Sequence, residues 1–149
     1  MNLKRTLSIG IPSGISMTLG LFIGGAVFAH IIYGPEFAPP GKFKAEQMNP
    51  FYFLWTKAAI GVFFGILFTL FYEVLPLSRK IRGAWQGMKY GFLFWLVLTA
   101  WDISHPLVYD SIRNDDQLFW LVYSLTGFLA YGLAAGYLYK REEVQAKPR

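Results

Sequence analysis

Two histidines, His30 and His105, are the residues of this chain whose type and placement could support redox chemistry. Each follows or ends a long apolar run, so both should lie near the outer membrane surface, on helices that could face each other. Two imidazoles on facing helices can hold the iron of haem b. Histidines at a membrane surface that bond to water or backbone would explain the same pattern. The sequence therefore leaves a haem- or quinone-associated redox subunit as one hypothesis.

A small set of charged residues falls on the same predicted side as the histidines and forms a candidate outer polar site: Glu36, Lys57, Asp102 and Asp110. Lys57 would pair with one of the acids or extend to the membrane surface. None of these residues shows the spacing diagnostic of a metal site, so we predict no metal ion. The middle of each apolar run contains no acid, which argues against a proton-coupled exporter.

Other catalytic chemistry has no visible motif in this sequence. The chain has no cysteine, which excludes disulfides, thiolate metal sites and dithiol redox chemistry. It contains no nucleotide-binding loop, catalytic triad or metalloprotease signature. We therefore expect no catalytic residues, and a non-catalytic protein is favoured over an enzyme.

The elements that must position these residues are four apolar runs. Hydrophobic residues make up 54% of the 149 residues and charged residues only 15%, where soluble domains have about 25% charged residues. About 20 apolar residues are enough to cross a bilayer. We predict an all-α integral membrane protein in which one domain, 1–149, has four transmembrane helices. Their expected ranges are about 7–33, 53–73, 84–104 and 118–139, followed by a flexible tail over 140–149.

The distribution of basic residues predicts the orientation of these helices. Ten of the 14 lysines and arginines lie in the N-terminal segment, the 74–89 connection and the C-terminal tail. Both termini are therefore expected in the cytoplasm, with a bacterial inner membrane as the setting. The net charge of +5 is then a topology signal, and nucleic-acid binding has no separate support. Aromatic rings expected at the inner membrane surface are those of Tyr72, Trp85, Tyr137 and Tyr139.

Glycines recur at steps of three or four residues in these runs, although a glycine costs about 1 kcal/mol relative to alanine inside a helix. In lipid, small residues let helices approach closely. We interpret the repeats as packing faces of a compact four-helix bundle, and one face could instead hold a second copy or another subunit. The predicted packing glycines, beside a Gly10–Gly14 pair, are Gly20, Gly24, Gly61, Gly65, Gly83, Gly87, Gly91, Gly132 and Gly136.

Three functions fit this pattern. The first is a small non-catalytic membrane component, an accessory subunit or assembly factor that packs against other membrane helices. The second is an oligomeric protein that binds or transports a small molecule or lipid through an outward-facing pocket. The third is the redox subunit described above. The expected partners are the lipid bilayer and either further copies of the chain or other membrane subunits.

Overall fold

The computed structural model describes residues 3–34, 50–74, 83–108 and 114–146, and over these residues the protein is all-helical. The helices are α1 (Leu3–Tyr33), α2 (Pro50–Val74), α3 (Ala84–Val108) and α4 (Asn114–Ala146). Three of them contain segments long and apolar enough to cross a membrane: Leu3–Ile31, Leu54–Tyr72 and Phe119–Arg141. The prediction of an all-helical chain with four helices is confirmed.

The third helix differs in composition from the other three. Gln86 and Lys89 lie in its first turns and Asp102 lies near its end, so the uncharged stretch between them is short. Its 25 residues nevertheless measure about 38 Å at 1.5 Å per residue. The length of α3 therefore does not prevent it from spanning a bilayer.

Two helices continue past the predicted ends of the apolar runs. The fourth helix runs through Lys140 to Ala146, over residues predicted to form a flexible tail. Most of those residues are good helix formers, and helical hydrogen bonding does not stop where the apolar sequence stops. The third helix passes through Pro106 to Val108. A proline removes one helical hydrogen bond, and near the C-terminal end few later turns depend on it.

The backbones of three helix pairs lie close together: α1 with α2, α1 with α4, and α3 with α4. The spatial order is therefore α2, α1, α4, α3. At the first contact, a Cβ added to Gly14 would come within 2.6 Å of the Cα of Val62. One added to Gly65 would come within 2.5 Å of the Cα of Gly14. Only glycine permits this approach, because the conflicting atoms belong to the backbone.

The contact of α3 with α4 has the same construction. A Cβ at Gly87 would meet the carbonyl oxygen of Gly132 and would lie 2.8 Å from the Cα of Gly136. Gly91 faces the backbone of Phe128. The carbonyl oxygen of Gly83, which precedes α3, accepts a hydrogen bond from the Gly87 N–H and lies against Gly136. Both hairpins, α1–α2 and α3–α4, are thus joined by glycines that oppose each other.

The contact of α1 with α4 uses glycine against larger side chains. A Cβ added to Gly20 would lie 2.5 Å from the Cβ of Ala130, and one added to Gly24 would lie 2.5 Å from the Cβ of Thr126. The Ser16 hydroxyl donates to the carbonyl oxygen of Ala130 at 3.1 Å. The predicted packing glycines within the four helices therefore all face other helices of the same chain.

The fourth side of the bundle, between α2 and α3, is filled by aromatic rings. Phe68 of α2 stacks on Phe94 of α3 with ring centroids 5.1 Å apart. It also lies 5.3 Å from Phe128 and 5.5 Å from Tyr131, both on α4. Phe68 is only 4% exposed. This residue closes the bundle where no opposed glycines join the helices.

Candidate functional site

The predicted redox residues are only partly described. The His30 side chain is exposed near the end of α1. His105 lies within α3, and its side chain is outside the described residues. Haem ligation by the two histidines therefore stays a prediction. Within residues 3–34, 50–74, 83–108 and 114–146, the described side chains include no group of three or more His, Cys, Asp or Glu residues able to hold a metal ion.

The candidate outer polar site falls largely outside the described side chains. Glu36 and Asp110 lie beyond the described ranges, and Asp102 is described only as part of α3. Lys57 is half-buried in α2, and its backbone carbonyl accepts a hydrogen bond from the Thr18 hydroxyl at 3.3 Å. Pairing of Lys57 with an acid stays a prediction.

Polar side chains in the middle of the bundle form local hydrogen bonds. The Thr99 hydroxyl donates to the Trp95 carbonyl oxygen at 2.6 Å, and the Thr126 hydroxyl donates to that of Tyr123 at 2.8 Å. The indole nitrogen of Trp95 donates across to the Ser124 hydroxyl at 3.0 Å. Hydroxyls bonded within their own helix stabilise packing and offer no donor to a substrate. The donors of these side chains are therefore engaged inside the bundle.

A more polar interior lies toward the end of the bundle that carries the N-terminus of α1. The hydroxyls of Thr69 and Tyr131 are 3.2 Å apart, and Thr69 also donates to the Gly65 carbonyl oxygen. The Ser13 and Tyr72 hydroxyls are buried without a hydrogen-bond partner among the described residues.

One residue from each helix meets at this end of the bundle. The Tyr72 ring of α2 stacks on Tyr139 of α4, with centroids 5.0 Å apart and planes at 19°. The edge contact of Tyr72 with Tyr90 of α3 is 5.3 Å. The guanidinium carbon of Arg5, on α1, lies 4.9 Å from the centroid of Tyr139. We call Arg5, Tyr72, Tyr90 and Tyr139 the tyrosine–arginine stack.

The stack differs from the expectation that Tyr72 and Tyr139 lie among the aromatic rings of the inner membrane surface. Both are instead almost fully buried, at 2% and 6% exposure, whereas Trp85 and Tyr137 are 68% and 58% exposed. The sequence does contain a signal that these two tyrosines are buried. Each buried tyrosine follows a packing glycine, Gly65 or Gly132, by about two helical turns, which places it on the same face as that glycine.

The other end of α2 presents an exposed surface instead of a buried one. We call residues 51–60 the uncovered half of α2. None of its described side chains is buried. Tyr52, Leu54 and Trp55 are 72%, 54% and 61% exposed. Thr69 and Tyr72, toward the opposite end of the same helix, are 0% and 2% exposed. The bundle therefore encloses one end of α2 and leaves the other end uncovered.

No protein-family model, curated protein or solved structure is significantly similar to this chain.

Proposed function

We propose that this chain is a small non-catalytic membrane protein that packs against the helices of another membrane protein as an accessory subunit or assembly factor. All four helices span the bilayer, and both termini face the cytoplasm of a bacterial cell. Three helices are long and apolar enough to cross a membrane, and α3 is long enough. The concentration of basic residues near the termini and the 74–89 connection supports the orientation.

The orientation can be tested with single cysteines, because the chain contains none of its own. We expect Ser111→Cys to react with a membrane-impermeant maleimide on intact cells, and Lys140→Cys to react only after lysis. Labelling is measured as a mass shift. If α3 does not cross the membrane, residue 111 moves to the cytoplasmic side. Protection of Ser111→Cys in intact cells, with labelling after lysis, would contradict the four-span topology.

The functional proposal is based on the packing of α2. The described packing glycines within the helices are occupied by contacts inside the chain, so they hold the bundle together and are not available to a partner. Among its described side chains, the uncovered half of α2 has none that is buried, and its sequence contains no glycine. Membrane helices associate through van der Waals packing and interhelical hydrogen bonds. Leu54, Trp55 and Ile60 provide the exposed side chains on which a partner helix would pack.

The partner can be identified by photocrosslinking in intact membranes. A photoreactive amino acid at Leu54 or Ile60 should give one discrete protein adduct, because both positions lie in the uncovered half. The matched control is Phe71, which is also exposed but lies at the opposite end of α2. The adduct is identified by mass spectrometry, and its yield should fall when Trp55→Ala is added.

The products separate the possible outcomes. A different membrane protein, captured from positions 54 and 60 but not from 71, supports the accessory role. An adduct of twice the mass of the chain would identify a homo-oligomer and overturn the assignment to another subunit. Lipid adducts alone, equal at all three positions, would show that α2 contacts only the bilayer and would overturn the proposal.

A further inference from the structure

The tyrosine–arginine stack lies apart from the uncovered half of α2 and has its own chemistry. It contains a cation and three phenol rings, with one residue from each helix. The Arg5 side chain is half-buried, and it is held against a ring that is 6% exposed. Since Tyr139 is in turn stacked on Tyr72, the position of the guanidinium depends on the packing of α1, α2 and α4 together.

A guanidinium that lies over an aromatic ring keeps its ligand-binding capacity. The attraction to the ring uses the face of the planar cation, while the N–H donors lie in its plane. Those donors form a fork that matches two oxygens of a phosphate group. The contact with Tyr139 holds the Arg5 guanidinium at this end of the bundle, and a preorganised side chain loses less entropy when it binds.

The surroundings of Arg5 favour an anion. Lys4 precedes it on α1, and Lys140 and Arg141 follow Tyr139 on α4; all three side chains are exposed. The contact of Arg5 with Tyr139 brings these two basic pairs to the same end of the bundle. Basic groups between helices at a membrane surface are suited to anionic lipid headgroups.

We propose that the tyrosine–arginine stack binds the phosphodiester group of an anionic phospholipid, with Arg5 as its fixed cation. The inference rests on the proposed insertion into a membrane and is independent of the partner site on α2. A phospholipid headgroup and free inorganic phosphate present the same anionic group. The position of the stack at the proposed membrane surface favours the lipid. Lipid binding at this position would join α1 to α4 where the two helices approach the headgroups.

The test measures selective retention of lipid. The protein is reconstituted in phosphatidylcholine vesicles that contain a minor fraction of phosphatidylglycerol, and then extracted gently. Native mass spectrometry gives the enrichment of bound phosphatidylglycerol over its share in the vesicles. We expect enrichment in the wild type and a loss of about tenfold in Arg5→Gln, because this variant removes a direct hydrogen bond between the guanidinium and the phosphate group. Equal enrichment in both would overturn the proposal.

Matched variants separate the stack from bulk charge. Lys89→Gln also removes one positive charge, but Lys89 lies over Trp85 on α3, and this variant should keep the enrichment. Tyr139→Phe keeps the ring and should bind like the wild type. Tyr139→Leu removes the ring, leaves Arg5 intact and should lose binding. If Lys89→Gln loses as much lipid as Arg5→Gln, or if Tyr139→Leu binds normally, the stack is not the site.

A competition arm distinguishes the two sources of phosphate. An excess of inorganic phosphate should leave the retained phosphatidylglycerol unchanged, because the acyl chains hold the lipid beside the bundle. Displacement of the lipid by inorganic phosphate would assign the site to the free anion and overturn the lipid assignment. A protein that fails to enter vesicles at all would contradict the proposed membrane insertion, which is a separate result.

Discussion

Replacing Gly87 with alanine should destabilise the bundle by about 2 kcal/mol, even though alanine is the better helix former. The added methyl group would meet the Gly132 carbonyl oxygen and would lie 2.8 Å from the Cα of Gly136. Both are backbone atoms, so α3 and α4 must move apart. Overpacking costs about 3 kcal/mol at the upper end of its usual range, against roughly 1 kcal/mol gained in helix propensity. Gly87→Leu should be worse and should impair assembly.

The effect of Gly87→Ala can be measured as the free energy of unfolding in mixed SDS micelles, followed by far-UV circular dichroism. Ala100→Leu is the matched control, because it adds a larger group to the same helix at an exposed position and should leave stability unchanged. An unfolding midpoint for Gly87→Ala equal to that of the wild type would show that α3 and α4 do not pack through these glycines.

Replacing Phe68 with alanine should cost about 3 kcal/mol, a value typical of a buried phenylalanine reduced to alanine. The ring stacks on Phe64 and Phe94 and also contacts Phe128 and Tyr131. Its removal leaves a cavity between three helices. The consequence is large for α2, because the close backbone contact of α2 is with α1 and the rings provide its link to α3 and α4.

The same unfolding assay tests Phe68→Ala. Phe71→Ala is the control, since it removes an equal ring from the same helix where 47% of the side chain is exposed. A double-mutant cycle with Phe94→Ala then isolates the contact between α2 and α3. Additive losses, with no coupling between Phe68 and Phe94, would mean that the two rings do not stabilise each other.

The helices were predictable because each depends on a property of its own segment. Apolar runs of sufficient length indicate helices, and their placement agrees with α1, α2, α3 and α4 to within a few residues at most ends. Helix ends are less predictable, because hydrogen bonding continues through Lys140 to Ala146 after the apolar residues stop. The proposed orientation also comes from the sequence, through its lysines and arginines.

The sequence by itself determined that this chain forms four helices with small residues on one face of each. It did not determine which faces meet, because a face of glycines can pack against any helix that presents an equally small surface. The tertiary structure decided that Gly14 opposes Gly65 and that Gly87 opposes Gly132 and Gly136. It also decided that Tyr72 and Tyr139 turn inward beside Arg5, since a tyrosine near a helix end can face either the headgroups or a neighbouring helix.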